Sequence, residues 1–175
     1  SQEWCGTMYT QFNLILNTDY KVEHRSYFET EGDKTTRIKK SYLEDEVFNV
    51  LRLNPLLLPL GSIQLIPSAN YIQLKHLQIR SYEVIASLIP YERKEISGTN
   101  LMQYKIVYPQ LKRSIRIVFE NKAPYKIMGW FEKFPSSFDG KTRTTSAILK
   151  AQKMLPYWRQ NSLKDEYLRK ELGLH

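Results

Sequence analysis

Few side chains in this sequence could do covalent or acid–base chemistry. Cys5, between Trp4 and Gly6, is the single cysteine and the one conceivable thiol nucleophile, with His24 or His76 as the base that would activate it. The same histidines, with Glu23 or Glu83, are the conceivable metal ligands. Neither set has the spacing of a zinc or nucleophile motif. A lone strand cysteine is ordinarily a small buried hydrophobe, and dispersed histidines are ordinarily structural or surface groups. Glu132 follows Trp130-Phe131, an aromatic setting that could perturb a carboxylate, although a solvent-facing partner of a core strand reads the same way. No G-x-x-x-x-G-K-[ST], G-x-G-x-x-G, H-E-x-x-H or G-x-S-x-G occurs. The residues therefore name no catalytic group, no metal site and no cofactor.

The elements that would position such groups are mostly strands. From Leu101 to Phe134, Met102, Tyr104, Ile106 and Tyr108, then Ile115, Ile117 and Phe119, alternate with charged residues such as Lys105 and Arg116. Breaks fall at Pro109 to Lys112 and at Asn121 to Pro124. Period-two patterning bounded by turn residues predicts an antiparallel meander with one face buried. Residues 3–15, 20–29 and 35–39 read as three more strands of a meander. Residues 71–89 read as two strands, or one bent near Gln78 to Ser81, and Thr142 to Leu149 as the last strand. Two S-x-x-[DE] capping boxes, Ser41 to Glu44 and Ser162 to Asp165, predict helices near 42–53 and 162–173, the second closed by Gly173.

These readings add up to a mainly β, α+β domain spanning residues 1–175. It is expected to form a curved antiparallel sheet or half-open barrel of about seven to nine strands with two helices packed on it. A length of 175 residues can bury a sufficient core without disulfides. Twelve Tyr, seven Phe and three Trp suit pleated, half-buried surfaces. No segment approaches the ~18 apolar residues of a membrane helix.

Formal charge is +8 and unevenly spread. Residues 1–60 carry seven basic and nine acidic side chains, residues 61–120 eight and four, and residues 121–175 eleven and five. Basic residues interleave with aromatics along Tyr104-Lys105, Arg113, Arg116, Tyr125-Lys126 and Trp130. Sheets that stack nucleobases carry this pattern, but so does any basic sheet whose aromatics form its core. Without an RNP-type octamer, nucleic acid is disfavoured as a partner.

Several phrases occur together in order: Glu3-Trp4-Cys5-Gly6, Ser26-Tyr27-Phe28-Glu29, Asn54-Pro55, Leu58-Pro59 with Gly61, and Ile66-Pro67-Ser68. Later come Tyr104-x-Ile106-x-Tyr108-Pro109, Arg116-x-x-Phe119, Pro124-x-x-Ile127 with Trp130 and Glu132, and Tyr157-Trp158 through Leu172-Gly173-Leu174. Together they resemble an uncharacterised family of bacterial exported proteins, often predicted lipoproteins, over nearly the whole chain. Some such proteins bear the name septum formation inhibitor, which belongs to nucleotide pyrophosphatases with an S-x-S-P-R-R loop that is absent here. At coarser grain the meander is similar to the half-open β-barrels of envelope lipid carriers.

The resemblance implies an exported protein, periplasmic or membrane-anchored through a preceding N-terminal region, of which this chain is the C-terminal portion. It implies no catalytic residue. The expected role is a non-catalytic cell-envelope protein binding a lipid or other apolar small molecule. The alternatives are a structural or protein-interaction module of the envelope and a cysteine-dependent enzyme using Cys5. An apolar cleft is expected between the concave sheet and the helix near Ser162, walled by Tyr104, Tyr108, Trp130 and Trp158, which could instead pack solidly on Leu168 and Leu172.

Overall fold

A computed structural model describes residues 8–27, 29–30 and 32–174. The described residues begin with an antiparallel meander of β1 (Met8–Ile15), β2 (Asp19–Ser26) and β3 (Lys34–Lys39). This is a sheet of its own, of order β1-β2-β3. The second sheet has seven strands: β4 (Tyr42–Leu43), β5 (Gly61–Ile66), β6 (Tyr82–Pro90), β7 (Leu101–Tyr108), β8 (Arg113–Glu120), β9 (Ile127–Pro135) and β10 (Thr142–Ile148). Its order is β10-β9-β8-β7-β6-β5-β4, antiparallel throughout except for the short parallel pair β4–β5. The fold is mainly β, with its sheet curved rather than closed into a barrel. One extended sheet was expected; instead there are two.

The core of the large sheet is the apolar phase of its alternation. Tyr104, Ile106 and Tyr108 on β7 stand opposite Ile117, Ile115 and Arg113 on β8. Val84 and Ala86 on β6 extend the same face. Helix α1 (Glu44–Leu53) covers it with Val47 and Leu51, both buried. Burial of side chains of this size is worth about 1.5–3 kcal/mol each. A second, smaller cluster lies on the other face, where Tyr91 and Ile96 of the β6–β7 loop pack on Leu101, Val118 and Phe131. Gly129 permits this approach: a Cβ there would stand 2.8 Å from Ile96 Cδ1 and 2.6 Å from the Ala147 carbonyl oxygen.

Helix α1 falls within the expected span, but its start is not the expected cap. Ser41 Oγ donates to the Gln64 carbonyl (2.6 Å) instead of capping, because β4 pairs with β5 before the helix begins. The N-cap is therefore Leu43, without a side-chain hydrogen bond, and Glu44, Asp45 and Glu46 fill the first turn. Three carboxylates there complement the positive end of the helix dipole.

Residues 69–75 depart from expectation more sharply. Ala69–Lys75 forms a helix, α2, although strand was expected from Tyr71 onward. Pro67 ends β5, Ser68 Oγ accepts from Tyr71 N–H as an N-cap, and His76 closes the helix in the left-handed region (φ 50°). Tyr71 and Ile72, adjacent in sequence, are the residues α2 buries. Tyr20, Val22, Ile66 and Ile72 join small sheet, β5 and α2 in a third cluster.

The C-terminal helix is shorter than expected and buries no residue. A 3₁₀ turn at Leu163–Asp165 precedes α3 (Tyr167–Glu171). The capping interaction forms, with Asp165 Oδ2 accepting from Ser162 N–H and Oγ. The end is as expected too: Gly173 takes φ 72°, its N–H reaches Lys170 O, and Leu174 N–H reaches Arg169 O. These are the two bonds of a Schellman motif.

Candidate functional site

Arg113 opens β8 in phase with Ile115 and Ile117, so the strand turns its guanidinium into the core, where it is 2% exposed. Nη1 and Nη2 donate to the two Glu44 oxygens (2.6 and 2.7 Å), and Nε donates to Glu132 Oε1 (2.6 Å). Glu132 lies opposite Ile115 on β9, and Glu44 shares a face of α1 with Val47 and Leu51. Tyr108 Oη donates to Glu44 Oε2 (2.6 Å), and the guanidinium stacks over the Tyr71 ring at 3.9 Å.

Burial works against the Arg113 charge, but Glu44 and Glu132 outweigh it and raise the pKa above the ordinary guanidinium value. Burial, followed by the Glu44 carboxylate, pushes the Tyr108 hydroxyl well above the usual phenol range. The group is a saturated ion-pair network joining α1, α2, β7, β8 and β9. Its chemistry is structural: Arg113 spends three N–H donors on carboxylates, and Tyr108 spends its proton on one of them.

The space for a ligand lies elsewhere. A cleft of about 740 Å³ opens between the small sheet and α2. Ile38 of β3 and Ile72, Leu77 and Ile79 of the α2 segment give it apolar walls, with Met8 at the start of β1. His24, Lys34, Thr36, Arg37, Gln73 and His76 supply polar groups. His24 is buried on β2, its Nδ1 3.0 Å from Thr10 Oγ1. The cleft lies where α2, capped by Ser68, buries Ile72 in one cluster with Tyr20, Val22 and Ile66 and ends at the left-handed His76, after which Leu77 packs against that cluster.

Of the residues singled out in the sequence, His24 and His76 do come together on this cleft. Their proposed carboxylate partners do not join them. Glu23 pairs with Lys21 (2.6 Å), and Glu83 accepts from Ser62 in the large sheet (2.8 Å). No group of three His, Cys, Asp or Glu among the described residues is arranged to hold a metal. Cys5, with Trp4 and Gly6, lies outside the described residues.

Of the four expected ligand-binding aromatics, three share the main core and one stands apart. Tyr104 and Tyr108 are wholly buried in the main core, and Tyr104 Oη donates to the Pro59 carbonyl (2.7 Å). Trp130 is half-buried against the same core. Trp158 is 63% exposed in a 3₁₀ turn (Tyr157–Arg159), edge-on to Tyr157. None of the four lines the cleft beside α2. Sequence reading missed the Arg113 network, although a signal existed: Arg113, Glu132 and Glu44 each sit in the apolar phase of their element. It missed the cleft because α2 was read as strand.

No family model matches this chain, and neither a curated protein nor a solved structure matches it significantly.

Proposed function

We propose that this chain is a non-catalytic binding module of the bacterial cell envelope, and that the cleft between the small sheet and α2 seats an apolar or amphipathic small molecule. One observation carries the reading: a concavity of about 740 Å³ with aliphatic walls and a few converging polar groups. That size and character match small-molecule sites, which span roughly 300–1,000 Å³ and are mostly apolar. Ile38, Ile72, Leu77 and Ile79 would hold the hydrocarbon part. Lys34, Arg37 and the two histidines would meet a polar or anionic end. The envelope location rests on the family resemblance, and the non-catalytic reading rests on a buried polar network that is saturated by its own partners.

Native mass spectrometry of protein purified from envelope fractions tests this. Wild type is expected to carry a co-purifying apolar molecule, and Thr36→Trp, which fills the cleft from an exposed strand position, is expected to lose it. A wild-type protein free of adducts that also fails to bind a fluorescent fatty-acid probe would overturn the reading.

A further inference from the structure

The outer face of the large sheet, opposite the core, carries a second concavity of about 560 Å³ with a different chemistry. Register puts Lys105 of β7 directly opposite Arg116 of β8. Arg116 in turn faces Phe131 of β9, and Phe131 faces Ser146 of β10. One step along the strands, Ser114, Lys133 and Thr144 form a parallel row. Directly opposed side chains start about 5 Å apart at Cβ, and alternate residues along a strand about 7 Å. Three cations on neighbouring strands therefore crowd one patch, with three hydroxyls between them.

Like charges directly opposite each other destabilise a sheet. Here the opposition of Lys105 and Arg116 is barely relieved. Glu95, on the β6–β7 loop, is the one carboxylate in the lining, and it is divided between Arg116 Nη2 (3.2 Å), Arg93 (3.8 Å) and the Tyr91 hydroxyl (3.0 Å). Lys105 and Lys133 make no ion pair with a described residue. Arg116 is only 14% exposed, its guanidinium carbon over the Phe131 ring at 4.5 Å. Its Nη1 is buried and meets no acceptor among the described residues. A fixed guanidinium with an unspent donor, flanked by two unpaired ammonium groups, is an arrangement that wants a multivalent oxyanion.

We propose that this groove is an anion site for a ligand carrying phosphate groups, with Arg116 as the fixed anchor. Lys105 and Lys133 are the flanking charges, and Ser114, Thr144 and Ser146 supply hydroxyl donors. The chemistry is that of a phosphate ester or pyrophosphate, whether free in solution or displayed as a lipid headgroup. The site stands on the opposite side of the large sheet from the Arg113 network and shares no lining residue with the cleft beside α2. It holds or falls independently of the apolar-ligand reading.

Titration calorimetry and thermal shift with inorganic pyrophosphate, at constant ionic strength set with chloride, test the site. Wild type is expected to bind and to gain Tm with pyrophosphate, since a ligand bound only to the folded state stabilises it. Lys133→Gln, at an exposed position, and Lys105→Gln are each expected to weaken binding by about tenfold or more, as loss of one charge-assisted contact does. Arg116→Met is expected to abolish it. Lys164→Gln, on the C-terminal turn, removes the same charge elsewhere and is expected to change nothing. Sedimentation with phosphatidylglycerol and with phosphatidylcholine vesicles separates the sources: a Lys133-dependent preference for the anionic vesicles assigns a headgroup, and pyrophosphate binding alone assigns a soluble ligand. Failure of both probes to bind, or equal weakening by Lys164→Gln, would overturn the site.

Discussion

Arg113 and Arg116 stand three residues apart on one strand and differ in nearly every respect that matters. An odd spacing on a strand places them on opposite faces. Arg113 enters the core and meets two carboxylates, a phenol ring and a helix, so its charge is fully answered. Arg116 lies on the outer face, shares one carboxylate with Arg93, and keeps an unanswered donor beside two further cations. The first arginine fastens the fold. The second keeps one buried donor that the fold does not use, and the proposed anion site rests on that donor.

Removing either side chain breaks or sharpens that contrast. Arg113→Leu is expected to destabilise the protein most, by about 3–5 kcal/mol, because it strands the buried Glu44 carboxylate without its cation. Urea denaturation measures it. If the double variant Arg113→Leu/Glu44→Leu is no more stable than Arg113→Leu alone, the stranded charge is not the cause. Tyr108→Phe is the intermediate case. It removes one donor to Glu44 while the arginine remains, so a loss of about 1–3 kcal/mol is expected in the same assay.

Much of this contrast could be read in the sequence, and the part that could not has a physical cause. The alternation through Leu101 to Phe134 fixed the pairing of β7, β8 and β9, since slipping one residue would have exposed Tyr104, Ile106 and Tyr108 together. The same alternation placed Arg113 in the core phase and Arg116 outside it. What sequence could not supply was the partner of Arg113, because Glu44 lies 69 positions away and meets it only through tertiary packing. Helix α2 was hidden for a local reason. Tyr71 and Ile72 favour strands by propensity, and the helix they form is only seven residues long, too short to show a clear helical period. With α2 went the cleft that it walls. The aromatics of the expected cleft were conspicuous in the sequence for a simpler reason: a buried tyrosine with a bonded hydroxyl looks the same there as a ligand platform.

A pH effect sharpens the comparison at the small sheet, where Asp19, buried at the start of the central strand β2, is the counterpart of Glu44. The Thr18 hydroxyl, then Arg37 and Lys39, hold its carboxyl at about 2 instead of 3.8. A depressed acid contributes stability that is present above the unfolded pKa and is lost as pH falls from about 3.8 to about 2. Asp19→Asn is therefore expected to lower stability at pH 7 and to erase part of the acid-dependent loss in that window. Urea midpoints at pH 7 and pH 2.5 check this. A variant whose midpoint falls with acid as steeply as wild type would show that Asp19 does not set it.

The smallest expected effects belong to the outer face and the C-terminal turn. Lys133→Gln and Trp158→Ala are each expected to change stability by no more than about 0.5 kcal/mol, as exposed positions do. The two differ in what else they change. Lys133→Gln should weaken oxyanion binding by about tenfold or more while the fold is kept, which separates a ligand charge from a structural one. Trp158 is the informative control for the four aromatics taken together: it stands exposed beside Tyr157, whereas Tyr104 and Tyr108 are sealed in the core. If Trp158 packs with them around a bound apolar molecule in solution, Trp158→Ala should cost well over 1 kcal/mol and release that molecule. Unchanged denaturation and an unchanged adduct in native mass spectrometry are the expected result, and they would leave the cleft beside α2 as the apolar site.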